Sequence, residues 1–133
     1  MPIRYRITKR SNTIANNKAP QYIMQAINTG VVTLDDLSYQ ISNECTLSKY
    51  DVKMVLDALG DKLKFHLEDG KIVDLETIGK FKVGFKCKAN PDPTTLTPKR
   101  NIQKYHLNFQ PSVVLKRWLK KGIKTYKEGS RST

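Results

Sequence analysis

From Lys80 to Lys88 the chain alternates on a period of two. Phe81, Val83 and Phe85 fall on one set of positions, and Lys80, Lys82, Gly84, Lys86 and Lys88 fall on the other. Successive side chains on opposite sides is the geometry of a strand, and a helix cannot use that spacing. Four lysines on one strand face repel each other with nothing negative opposite, a cost that makes sense if phosphates arrive. Ile102 to Phe109 repeats the pattern, with Tyr105, Leu107 and Phe109 alternating against Lys104, His106 and Asn108. Between the two runs, residues 89–101 carry Pro91, Pro93 and Pro98 and cannot be a paired central strand. They are expected at the far end of a protruding arm. Upstream, Val73 and Leu75 alternate with Ile72, Asp74 and Glu76, which predicts a first strand with Val73 and Leu75 inward, turned by Ile78-Gly79.

Charge is distributed as unevenly as it is abundant. The net charge is +12. Residues 1–70 hold nine Lys and Arg against eight Asp and Glu, 9 − 8 = +1, whereas residues 71–133 hold fifteen against four, 15 − 4 = +11. Such asymmetry points to a polyanionic partner, nucleic acid first and an acidic membrane second. With 133 residues, 38% of them hydrophobic, the core is modest, and dimerisation is the expected way to complete it. Cys45, Cys87, His66 and His106 show no metal-ligand spacing, and no metal or cofactor is expected. Gly79, Gly84 and Gly122 are isolated rather than clustered in a phosphate loop, and no catalytic set or small-molecule substrate is suggested. The first residues lack the apolar run of a signal peptide and no stretch has membrane-spanning length, so the expected compartment is the cytoplasm, at the nucleoid.

In chain order, residues 3–7 alternate apolar and basic like a strand, and residues 11–20 read as a polar loop. Arg4, Arg6, Lys9 and Arg10 form either a second basic patch or a solvated strand face. Residues 21–32 fit a short helix through Tyr22, Ile23, Ala26 and Ile27, or a strand through Tyr22, Met24 and Ala26; the expectation is a strand paired with residues 3–7. Thr33 caps a first helix carrying Leu34, Leu37 and Ile41 and ending near Cys45. Ser48 with Asp51 caps a second, whose apolar positions are Val52, Val55, Leu56, Leu59, Leu63 and Leu67, with Gly70 just past its end. This pair is scaffold rather than a DNA-reading helix-turn-helix, because residues 49–68 balance four lysines with four acids. Pro111 opens a last helix with Val114, Leu115, Trp118 and Leu119 on one side and Lys116, Arg117, Lys120 and Lys121 on the other. Residues 122–133 read as a basic flexible tail.

The order helix, helix, three strands with an arm, short helix, together with Thr46-Leu-Ser48-Lys-x-Asp51-Val, Gly70-Lys-x-Val73-x-Leu75-x-x-Ile78-Gly79-x-Phe81-x-Val83 and Phe109-x-Pro111-x-x-x-Leu115, resembles the HU/IHF family of bacterial histone-like proteins. The resemblance covers residues 33–121; residues 1–32 look like the N-terminal extension of the Bacteroidetes-type HU-like variant. It implies an α+β fold in which an intertwined homodimer embraces double-stranded DNA between two β-arms and bends it through the minor groove. Carried over, Leu56, Leu63, Phe81 and Phe109 belong to the dimer core. Lys80 and Lys82 precede the arm and belong to the DNA-binding set, Lys86, Lys88, Lys99, Arg100 and Lys104 line it and meet phosphates, and Lys116, Arg117, Lys120 and Lys121 touch the DNA flanks. The family's arm tip carries Arg-Asn-Pro, whose proline wedges between base pairs. Here the tip is Ala89-Asn90-Pro91-Asp92-Pro93: Pro91 holds the wedge position, the arginine is absent, and Asp92 adds a negative charge. Without a wedge, binding leans on backbone charge and DNA deformability. Two other readings compete: a basic RNA-binding protein that stacks bases on Tyr105 or Tyr126, and a dimeric scaffold recruiting a protein through residues 1–32.

Overall fold

The computed structural model describes residues 2–10 and 20–129, and the chain divides into two compact units. One is continuous, Leu34–Lys120; the other joins the two chain ends, Met1–Thr33 with Lys121–Thr133. Helices and two three-stranded sheets make a mixed α+β architecture.

The continuous unit begins with a helical hairpin, α1 (Leu34–Ser42) and α2 (Lys49–Glu68). Asp35 and Asp36 lie in the first turn of α1, where the helix dipole favours negative charge. Ser38 is wholly buried, and its hydroxyl donates to the Leu34 carbonyl at 2.7 Å, so the polar group is satisfied locally. The Ser48 hydroxyl accepts the Asp51 amide at 3.2 Å and donates to the Asp51 carboxylate at 2.9 Å, as the cap pattern predicts. Past α2, Gly70 takes φ +76°, and its amide donates to the Leu67 carbonyl. Of the apolar stripe on α2, Val52 and Leu67 are buried and Leu56 and Leu63 half-buried, whereas Val55 and Leu59 remain exposed.

Then follow β3 (Val73–Asp74), β4 (Gly79–Cys87) and β5 (Ile102–Pro111), antiparallel in that order across the sheet. The first strand is shorter than the alternation predicts, and its turn comes earlier than Ile78-Gly79. Asp74 Oδ1 accepts the Glu76 amide at 2.9 Å, Glu76 adopts φ +51°, and the Ile78 amide donates to Leu75. A side chain that captures the backbone two residues on offers an alternative to the strand ladder, and here it ends the strand. Val73 and Leu75 are nonetheless both half-buried.

The last helix, α4, spans Val113–Lys120, and Ser112, not Pro111, caps it. The Ser112 hydroxyl accepts the Leu115 amide at 3.2 Å and donates to the Thr77 carbonyl at 2.6 Å, while the Ser112 amide donates to Ile78. Pro111 ends β5 instead, opposite Gly79. One serine thus ties the β5–α4 corner to the β3–β4 turn.

In the other unit, β1 (Ile3–Arg10) pairs antiparallel with β2 (Gln21–Ile27), from Arg4↔Ile27 to Arg10↔Gln21. The ambiguous stretch is therefore a strand on the expected partner. Within the segment expected as a basic flexible tail, Thr125–Lys127 is a strand, β6, running parallel to β1 from Ile3↔Thr125 to Tyr5↔Lys127. Three residues are too few to show a period, and the partner that holds them lies at the other end of the sequence. The Ile3 amide donates to Lys124 and the Glu128 amide to Tyr5, both at 2.8 Å. Arg6 clasps the Glu128 carboxylate with two bonds of 2.6 and 2.8 Å. Most of the predicted loop 11–20, and residues 130–133, lie outside the described residues. No described helix is long and apolar enough to cross a membrane.

Candidate nucleic-acid interface

The β4–β5 register sorts the ribbon into two unlike faces. Phe81↔Phe109, Val83↔Leu107 and Phe85↔Tyr105 pair on one; Lys80↔Gln110, Lys82↔Asn108, Gly84↔His106 and Lys86↔Lys104 pair on the other. The apolar face has ring contacts, Phe81 with Phe109 at 4.9 Å between centroids and Phe85 with Tyr105 at 6.1 Å. It is nevertheless open: Leu107 is 58% exposed and Tyr105 64%. Its middle and outer part forms one wall of an apolar groove of about 550 Å³, lined by Leu63 and Leu67 of α2 and by Val83, Tyr105 and Leu107. Of the residues expected in a dimer core, Leu56, Leu63 and Phe81 are half-buried and Phe109 is exposed.

The opposite face gathers Lys80, Lys82 and Lys86 of β4 with Lys104 of β5; Lys88, expected on the same strand face, lies past the end of β4, beyond the register shift at Lys86/Cys87. Lys86 and Lys104 are directly opposite, a pairing of like charges that weakens a sheet unless an anion intervenes. Lys80 has Asp74 as its other cross-strand neighbour; no lysine of this face is in an ion pair among the described residues. The spacing that exposed the lysines also places His106, Asn108 and Gln110 on this face. Their alternation with Tyr105, Leu107 and Phe109 was the available signal for including them in the site.

Two glycines permit the close pairing. A Cβ on Gly79, at φ +150°, would strike the Gln110 carbonyl oxygen and approach Phe109 Cε2 to 2.7 Å. A Cβ on Gly84 would lie 2.8 Å from His106 Nε2, so the imidazole lies across that glycine.

Beyond a register shift at Lys86/Cys87, the ribbon ends in a folded cap rather than an open loop. A 3-10 turn spans Pro93–Thr95, and a one-turn helix, α3, spans Pro98–Asn101. Buried Asn101 closes the cap: its side-chain Oδ1 accepts the Thr97 amide at 2.9 Å and its side-chain NH2 donates to the Lys88 carbonyl at 3.1 Å. Pro91 is exposed between two residues whose side chains brace the backbone. Asn90 Oδ1 accepts the Asp92 amide, and Asp92 Oδ1 accepts both the amide and the hydroxyl of Thr94. Those bonds, the hydroxyl's first, hold the Asp92 carboxyl below its ordinary value. Lys99 and Arg100 are exposed on α3 of the same cap, and Lys88 precedes it. Lys116, Arg117 and Lys120 are exposed on α4, while Lys121 falls in the other unit.

A family model described as an HU domain fused to wHTH, Ig or glycine-rich motifs matches residues 1–127. The chain belongs to the HU-HIG family. The HU-HIG match takes in β1, β2 and β6, so it reaches well beyond the 33–121 stretch that carries the HU/IHF resemblance. Among solved structures, the chain is similar to a protein from Bacteroides vulgatus described as a bacterial DNA-binding protein, with a TM-score of 0.65 at 11% identity. The likeness covers 98% of this chain and 50% of that one, so the chain spans half the length of that structure. At this identity the likeness concerns the fold. No curated protein matches the sequence.

Proposed function

We propose that this HU-HIG chain is a nucleoid-associated architectural protein. As a homodimer it binds double-stranded DNA with little sequence specificity, bends it between paired β-arms and so helps condense it. The observation that carries this reading is the two-faced ribbon. Its cationic face has like charges opposed and unneutralised; its apolar face is open and continues into the groove beside α2. A second protomer suits the apolar face, and a phosphate backbone suits the other. The HU-type family and a structural neighbour described as DNA-binding point the same way. In this reading Lys80, Lys82, Lys86, Lys88, Lys99, Arg100 and Lys104 meet phosphates, Lys116, Arg117, Lys120 and Lys121 contact the flanks, and Pro91 is presented to the base stack. Leu56, Leu63, Phe81 and Phe109 contribute to the dimer core.

A duplex gel shift across salt tests it. With ~6 phosphate contacts, log K should fall against log salt with a slope of roughly −5. Lys86→Ala with Lys88→Ala should lower that slope by roughly 2 while leaving the dimer intact. A slope near zero refutes the electrostatic reading. The exposure of Tyr105 gives RNA binding one observation in its favour, since bases stack on open rings. A competition won by single-stranded or looped RNA over duplex DNA would transfer the function to RNA.

A further inference from the structure

Sorting the charge by structural unit, rather than by halves of the sequence, changes where it lies. The unit formed by the chain ends, Met1–Thr33 with Lys121–Thr133, holds nine Lys and Arg and one acid, 9 − 1 = +8; Leu34–Lys120 holds fifteen and eleven, 15 − 11 = +4. The smaller unit therefore carries most of the net charge. The strand register focuses part of it: Arg4, Arg6 and Arg10 share one face of β1, with uncharged Gln21, Ile23, Gln25 and Ile27 opposite them on β2 and Tyr126 beside Arg4 on β6. The unit's one acid, Glu128, is already committed to Arg6, whose two bonds to it hold the carboxyl below its ordinary value.

Arg10 is left exposed at the end of the strand, and Arg4 has an unmet need. The Nε of Arg4 is shielded from solvent and has no hydrogen-bond partner, and Arg4 lines a recess of about 360 Å³ of mixed character, with Ile3 and Ile27 beside Asn28, Thr29 and Gly30. A half-buried guanidinium at such a recess, not fully matched by the protein's own acceptors, suits a phosphate oxygen, which accepts a charge-assisted bond.

We propose that the β2-β1-β6 sheet is a second duplex-DNA contact, in which Arg4, seated in its recess, and Arg10 each meet a backbone phosphate. This rests on the DNA-binding reading above and adds a site to it. Duplex is favoured over single strands because the arginine face offers forks for phosphates but no open aromatic ring for stacking. Tyr126 is half-buried, and exposed Tyr22 pairs with Lys9 on the opposite face.

The test uses the full chain, a short duplex and a series from 50 to 200 mM salt. Arg4→Gln with Arg10→Gln should reduce the salt slope by about 2, so that wild type loses about 12-fold more affinity than the variant across that range. Because Arg4 is half-buried, exposed Arg10→Gln alone serves as the variant that leaves the packing untouched; it should reduce the slope by about 1. Lys9→Gln, on the other face, should leave it unchanged. Arginine variants with the wild-type slope, alongside an arm variant (Lys86→Ala, Lys88→Ala) with a reduced one, would overturn the second contact and leave the arm reading standing. A wild-type slope near zero would remove both. Loss of binding to vesicles of anionic lipid, with duplex binding unchanged, would also overturn it and reassign the face to a membrane surface.

Discussion

Leu107→Ala isolates the apolar face of the ribbon from its cationic one. The substitution removes three carbons, about 2.4 kcal/mol for complete burial at about 0.8 kcal/mol per methylene. Leu107 is 58% exposed in the single chain, so a partner can cover only that share, about 1.4 kcal/mol. A twofold interface presents the same residue from both protomers, which doubles the loss to about 2.8 kcal/mol, or about 100-fold in the dimer dissociation constant. Sedimentation equilibrium across a concentration series measures that constant directly, and far-UV circular dichroism checks that the protomer remains folded. Duplex affinity should fall at protein concentrations between the old and new dissociation constants. At higher concentrations the salt slope should return to wild type, because no lysine has been touched. An unchanged dissociation constant would show that the face is not the dimer seam. A variant that stays monomeric yet binds duplex as tightly as wild type would show that pairing of the arms is unnecessary.

Three further substitutions probe the parts that shape the site. Gly79→Ala should destabilise the protein by about 3 kcal/mol, read from denaturant unfolding, because the new Cβ meets the Gln110 carbonyl and the Phe109 ring at a positive φ; a wild-type midpoint would contradict the close pairing. Ser112→Ala should cost about 1 kcal/mol through the lost cap of α4 and leave the Thr77 carbonyl without its donor; a neutral change would mean the corner does not depend on the serine. At the tip, the depressed Asp92 carboxyl supports the fold above its unfolded value and loses that support as pH falls through the folded one. Its NMR titration should therefore have a midpoint below 3.8, and Thr94→Val should move it back up; an unmoved midpoint would exclude the Thr94 bonds as the cause.

What could be read in the sequence was whatever repeats. The alternation of Phe81, Val83 and Phe85 with the lysines specifies both faces of β4, and the β5 residues opposite follow the same rule. Ser48 with Asp51, and Gly70 after them, mark the ends of α2 because caps are local chemistry. Illegible were the features whose cause lies far away in sequence or in a single side chain. The three residues of β6 carry no period and exist as a strand because β1 supplies the ladder. The shortening of β3 depends on one Asp74 oxygen reaching the Glu76 amide, and the start of α4 on Ser112 rather than the more conspicuous Pro111. The grouping of charge by unit was hidden for a related reason. Halving the chain at residue 70 joins the arm to the C-terminal segment, and the fold separates them.

The arm tip shows how one departure from a familiar pattern can be absorbed. Asp92 follows Pro91, and its charge stays there: the two bonds from Thr94 that start the 3-10 turn hold the carboxyl below its ordinary value and keep it ionised. Asn90 braces the other side of Pro91, and Asn101 closes the base of the cap onto Lys88. A tip organised before binding has little backbone freedom left to lose when DNA arrives, whereas an open loop would forfeit roughly 1–2 kcal/mol for each residue it orders. Lys99 and Arg100 on α3 bring positive charge to the same cap. The tip is therefore braced by its own side chains, and the acid has a structural task within it. On the proposed DNA-binding reading, the orientation of Pro91 is set by folding rather than by contact with the duplex.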